Sequence, residues 1–149
     1  MTSQAKPSRN LYLDVDGVLL GTSSPGSPEV VLARHAGDFL EFALERFTCY
    51  WLTTHCQGDP STVLRYLEPY CDDAIRILLP AVLPTQFRTM KTEALAGDFV
   101  WLDDQPLACE IEWLRGHGLE DRWIEVNTRK RPDDLLRVMD FLRRIDSQV

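Results

Sequence analysis

Leu11-Tyr12-Leu13-Asp14-Val15-Asp16-Gly17-Val18-Leu19-Leu20 is the stretch on which the reading of this chain turns. Leu11 to Val15 is apolar apart from Asp14, and Asp16-Gly17 marks a turn, so a buried strand delivers two carboxylates to its own C-terminal end. Two later segments have the same form. Cys49 to Leu52 is a second apolar run stopped by Thr53 and Thr54, and Phe99 to Leu102 is another, ending in Asp103-Asp104.

Between these runs the apolar period changes. Phe39, Leu40, Ala43, Leu44 and Phe47 recur at helical spacing from Arg34 to Arg46. Asp59-Pro60 opens a helix that reaches about Tyr70, with Val63, Leu64 and Leu67 inward. Ala74 to Leu79 reads as a further strand, and Thr89 to Ala96 as a short helix closed by Gly97. A helix from Pro106 to Arg115, a strand from Trp123 to Val126 and a C-terminal helix from Pro132 to Ile145 complete the series. Gly21 to Pro28, rich in Gly, Ser, Thr and Pro, reads as a surface loop. Continuous apolar strands alternating with helices belong to a parallel sheet covered on both faces. Right-handed crossovers bring the C-terminal ends of such strands to one edge, where ligands bind.

At that edge Asp14, Asp16, Asp103 and Asp104 converge near Thr53. Clustered carboxylates raise one another's pKa. A hard divalent cation removes that penalty, and an oxygen-only donor set suits Mg²⁺. Lys91 stands just before the third of these strands, able to balance the acids and to bind an anion. Carboxylates, Mg²⁺, a lysine and a hydroxyl make a phosphate site.

The chain has 149 residues, 16 Lys+Arg against 23 Asp+Glu, a net charge of −7 and a hydrophobic fraction of 44%. That describes one globular domain, residues 10–149, behind a flexible lead of residues 1–9. No apolar stretch approaches the about 18 residues of a membrane span. Met1 to Asn10 lacks an apolar signal core, which places the chain in the cytoplasm. Cys49, Cys56, Cys71 and Cys109 form no C-x-x-C pair and read as reduced thiols. Net acidity argues against sequence-independent nucleic-acid binding. Arg129-Lys130-Arg131 is open to two readings, a solvated loop or a guide for a polyanion.

In these motifs the chain resembles the haloacid dehalogenase superfamily. LYLDVDGVL resembles its first motif (D-x-D-G-x), WLTT its second, Lys91 in TMKTEAL its third and VWLDD its fourth. LYLDVDGVLL and WLTT resemble most closely the domains of this kind grouped with bacterial RNA-repair proteins. The resemblance implies an α/β fold: a Rossmann-like three-layer α/β/α sandwich around a central, mostly parallel five-stranded sheet. It implies a phosphatase that works through an aspartyl-phosphate, with Asp14 as nucleophile and Asp16 as general acid and then base. Mg²⁺ would be held by Asp14, the backbone carbonyl of Asp16 and Asp103, with Asp104 ligating through water or orienting it. Thr53 and Lys91 would bind the phosphoryl group, with Thr54 and His55 as further substrate contacts.

Several alternatives stay open at this point. Thr54 could exchange roles with Thr53. Asp104 could cap the helix at Pro106. His55 could be a surface or capping residue, and Lys91 a solvated helix residue. Members of the superfamily often insert a cap domain, but neither Asp14 to Thr53 nor Thr53 to Lys91 leaves room for one. Only Leu19 to Val31 could shield the edge, so the site is expected to be open to a bulky phosphorylated substrate, a polynucleotide end or a protein. The competing readings are a catalytically lapsed binding module of the same fold and a small-metabolite phosphatase whose lid comes from a second subunit. Monomer and dimer are both compatible with the sequence.

Overall fold

Leu11 and Leu13 are fully buried and Tyr12 nearly so, because strand β1 (Asn10–Leu13) has a strand on each side and a covered face above and below. The computed structural model describes residues 9–146. β1 runs parallel to β4 (Thr48–Trp51), pairing Leu11 with Cys49 and Leu13 with Trp51. On its other side it runs parallel to β5 (Phe99–Asp103), pairing Leu11 with Val100 and Leu13 with Leu102. β5 pairs in turn with β6 (Trp123–Glu125), so the sheet is four-stranded and parallel in the order β4-β1-β5-β6. The chain leaves β1 toward β4 and returns to β5 on the opposite side, which makes β1 the switch point where such sheets bind ligands.

Side chains alternate between two apolar clusters, as the period of two requires. Leu11, Leu13, Trp51, Val100 and Leu102 join one cluster with residues of α1 (Ala36–Arg46) and α5 (Asp134–Asp146). Tyr12, Phe99 and Trp101 join another with Leu114 of α4 (Ala108–Gly116). Burying each large side chain stabilises the fold by about 1.5–3 kcal/mol, an upper figure given the compactness of unfolded chains.

Three expectations are corrected. Ala74 to Leu79 is not a strand: α3 (Asp73–Leu78) occupies it, following α2 (Ser61–Leu67) and a 3₁₀ turn at Glu68–Tyr70. The Asp72 side chain accepts from the Ile75 N–H at 3.0 Å and caps the helix. Ile75 and Leu79, four apart, are buried at 8% and 3% exposure while Ile77 is 77% exposed, which is helical rather than alternating periodicity. The expected fifth strand therefore does not form. Its place beside β4 is held by Leu83 alone, which donates to the Cys49 carbonyl and accepts from the Trp51 N–H, both at 2.8 Å.

The stretch expected as a loop begins instead as a strand. β2 (Leu20–Thr22) pairs antiparallel with β3 (Val30–Leu32), forming a hairpin between β1 and α1. Gly21 is required there, since a Cβ would lie 2.6 Å from the Thr128 carbonyl oxygen. The Thr22 hydroxyl donates to the Arg129 carbonyl at 2.9 Å, tying the hairpin to the loop after β6.

The helix expected over Thr89 to Ala96 is a single 3₁₀ turn, Lys91–Ala94, and the remaining helices start within two residues of their expected positions. The flexible lead lies outside the described residues except for Arg9, which is tied down: its guanidinium meets Asp98 at 3.0 Å and its carbonyl accepts from Thr48 at 3.0 Å. Among the described residues no helix is long and apolar enough to cross a membrane.

Candidate active site

Each strand that ends near β1 delivers one polar residue. Asp14 follows β1 directly and is 7% exposed; its N–H still donates to the Leu102 carbonyl at 3.1 Å, and its Oδ1 accepts from the Val15 N–H at 2.8 Å. The chain then turns tightly, with the Val18, Leu19 and Leu20 N–H groups all directed at the Val15 carbonyl. Gly17 makes that turn at φ +79°, and a Cβ there would collide with the Asp104 carboxylate. Asp103 closes β5 at 1% exposure; its Oδ1 accepts from the Gln105 N–H at 2.9 Å.

Oxygens of Asp14, Asp103 and Asp104 lie within 4.8 Å of one another. Three carboxylates this close together are a donor set that one small hard cation could share. The Lys91 ammonium sits against the same group, 2.7 Å from Asp103 Oδ2 and 3.3 Å from Asp14 Oδ2. Lys91 is thus no solvated helix residue.

The charges act on one another strongly. Burial, and next the Asp103 charge, push the Asp14 carboxyl up to about 7, with Lys91 only partly offsetting them. Burial and Asp103 also raise Asp104. Burial alone would lower Lys91, but Asp14 and Asp103 outweigh it and hold the ammonium above its usual range. Asp14 and Asp103 are buried against Lys91 and the half-buried Asp104 faces Arg129, so three acids meet two cations and leave negative charge that a bound divalent cation would neutralise.

Thr53 and Thr54 separate clearly. Thr53 is 1% exposed at the end of β4, beside β1, whereas Thr54 is exposed. The Thr53 hydroxyl oxygen accepts from the His55 N–H at 3.3 Å. Asp104 caps no helix: α4 begins at Ala108, and Asp104 instead faces the Arg129 guanidinium at 3.7 Å.

The Asp16 side chain stands outside the carboxylate cluster. Tyr66, on α2, donates its hydroxyl to Asp16 Oδ1 at 2.7 Å, and His55 Nε2 lies 3.0 Å from Asp16 Oδ2. The His55 and Tyr66 rings stack with centroids 3.9 Å apart. Burial pushes the Asp16 carboxyl up, yet the His55 and Tyr66 hydrogen bonds outweigh it and hold it below the usual carboxylate range. The hydrogen bond to Asp16, and next burial, push the Tyr66 hydroxyl up to about 12, so it remains a donor.

Glu110 completes the setting, and nothing in the motif pattern pointed to it. It is 2% exposed, and its carboxylate accepts from the Lys91 N–H at 2.5 Å and from the Leu107 N–H at 2.8 Å. One acid thereby caps α4 and fixes the backbone that carries Lys91. Its signal was the position itself, a glutamate in the first turn of a helix. The basic run divides: Arg131 pairs with Glu125 and Asp134, both at 3.2 Å, while Arg129 turns toward Asp104.

No protein-family model matches the chain, and no curated protein matches it.

Proposed function

We propose that the chain is a Mg²⁺-dependent phosphohydrolase of the haloacid dehalogenase superfamily, built as a three-layer α/β/α sandwich without a cap domain. The observation that carries this reading is the meeting of Asp14, Asp103 and Asp104 within 4.8 Å at the end of β1 and β5, with Lys91 against two of them. Asp14, Asp103, Asp104 and the Asp16 backbone carbonyl would hold Mg²⁺, which supplies charge neutralisation between the acids and an incoming phosphoryl group.

Asp14 attacks phosphorus in line, forming an acyl phosphate as the bond to the leaving oxygen breaks. Asp16, once it has taken up a proton from solvent, gives it to that oxygen, then takes a proton from the water that hydrolyses the acyl phosphate. Thr53 donates to a phosphoryl oxygen, and Lys91 balances the charge that develops on the others. Fixed donors of this kind are commonly worth about 10²–10³ in rate each.

The test is release of phosphate from phenyl phosphate by the purified chain, with Mg²⁺ and with EDTA. Turnover should require Mg²⁺, and Asp14→Asn should lower it at least about 10³-fold, since an amide is no nucleophile toward phosphorus. Undiminished turnover by Asp14→Asn, or no turnover by the natural chain on any phosphomonoester, overturns the reading and leaves the fold to a binding module.

A further inference from the structure

We propose that His55 and Tyr66 are positioning residues for Asp16, forming an aromatic cradle that aims its carboxyl group at the leaving oxygen and receives the carboxylate once the proton has gone. The inference rests on the phosphatase reading above but concerns residues outside its four motifs. Both Asp16 oxygens are engaged, Oδ1 by the Tyr66 hydroxyl at 2.7 Å and Oδ2 by His55 Nε2 at 3.0 Å. The two donors are held relative to each other by the stack of their rings, 18° from parallel. Each is anchored from a different direction. Tyr66 rides on α2, and His55 follows Thr53 in the loop after β4, its N–H bonded to the Thr53 hydroxyl oxygen.

The Asp16 side chain is absent from the group of oxygens around Lys91 and faces α2 instead. An ionised carboxylate with a donor on each oxygen is a stabilised product of proton transfer. Asp16, ionised between its two donors in the free protein, takes up a proton from solvent as the phosphate dianion approaches; when the P–O bond breaks, that proton moves to the departing oxygen while the new bond forms from Asp14 to phosphorus. The negative charge left on Asp16 falls between donors that need not reorganise. A side chain on a turn would otherwise sample several rotamers, and a misplaced acid loses most of its effect.

The dependence on leaving group separates this role from a merely structural one. A phenoxide needs its proton as it departs, whereas 2,4-dinitrophenoxide does not. Tyr66→Phe and His55→Phe each remove one donor and keep an aromatic ring in the stack. For each, the ratio of kcat/KM on 2,4-dinitrophenyl phosphate to that on phenyl phosphate should rise about 10-fold over the natural chain, a fraction of the 10²–10⁴ that a general acid supplies. Thermal melting confirms that both variants fold; if one does not, the other alone carries the measurement. A ratio unchanged in the folded variants overturns the cradle and leaves the phosphatase reading standing. If the natural chain hydrolyses neither ester, the phosphatase reading fails and takes the cradle with it.

Discussion

Glu110 shows how much one buried side chain can hold together. Its two oxygens satisfy N–H groups of Lys91 and Leu107, nineteen and three residues away in sequence. In Glu110→Ala both partly buried donors lose an acceptor that is itself 2% exposed, and each orphaned group costs about 1–3 kcal/mol, less where water can replace the acceptor. Urea unfolding should therefore show a loss of about 2–4 kcal/mol, with Glu110→Gln, which keeps one acceptor, between the two. A loss below about 0.5 kcal/mol would mean that the Lys91 backbone is held by something else. At this scale the sequence was informative for Asp14, Thr53 and Asp103, because a polar residue abutting an apolar strand has few explanations; Lys91, in the turn before β5, stood out only through its likeness to a motif. It was silent on Tyr66, and for Glu110 it offered only a place in the first turn of a helix. Both lie in helices among other polar residues, and only the packing of α4 and α2 decides which of these turns inward.

Elements depend on the same partnerships at longer range. Asp134, 4% exposed in the first turn of α5, accepts from Arg137 Nε at 2.8 Å, from Arg131 Nη2 at 3.2 Å and from the Asn127 N–H at 2.9 Å. Burial alone would raise its pKa, but these donors, Arg137 first, outweigh burial and hold it near about 2. A carboxyl whose folded pKa lies below its unfolded value of about 3.9 stabilises the fold fully above that value and loses the effect as pH falls toward 2. The contribution is about 1–2 kcal/mol once solvent on the arginine side is allowed for. Asp134→Asn should thus lower the melting temperature at pH 7 and converge with the natural chain as pH falls from 4 to 2; a constant gap across that window would refute the assignment. β1, β4 and β5 were legible because each is built on an unbroken apolar run, whereas β6 carries the exposed Glu125. The error at Ala74 to Leu79 arose because Ile75, Ile77 and Leu79 fit alternation as well as a helical face, and only the exposure of Ile77 distinguishes the two.

On the phosphatase reading, the whole molecule sets which substrates reach the carboxylates. Between β1 and α1 stands only the β2–β3 hairpin, and it is tied at Thr22 to the loop that carries Arg129. A substrate longer than a metabolite could lie across this edge with its phosphate at Asp14, passing the half-exposed Arg129 guanidinium. Phosphorylated oligonucleotides or phosphopeptides should accordingly exceed small sugar phosphates in kcat/KM. A panel in which a small sugar phosphate leads by orders of magnitude would favour a lid from a second subunit.

The sheet also separates two indoles. Trp51 and Trp101 are both fully buried, on strands that flank β1, yet they belong to the two different apolar clusters. Each is a native fluorophore reporting its own half of the interior. Emission from single-tryptophan versions of the protein would tell whether the halves melt in concert or in succession, with no dye attached.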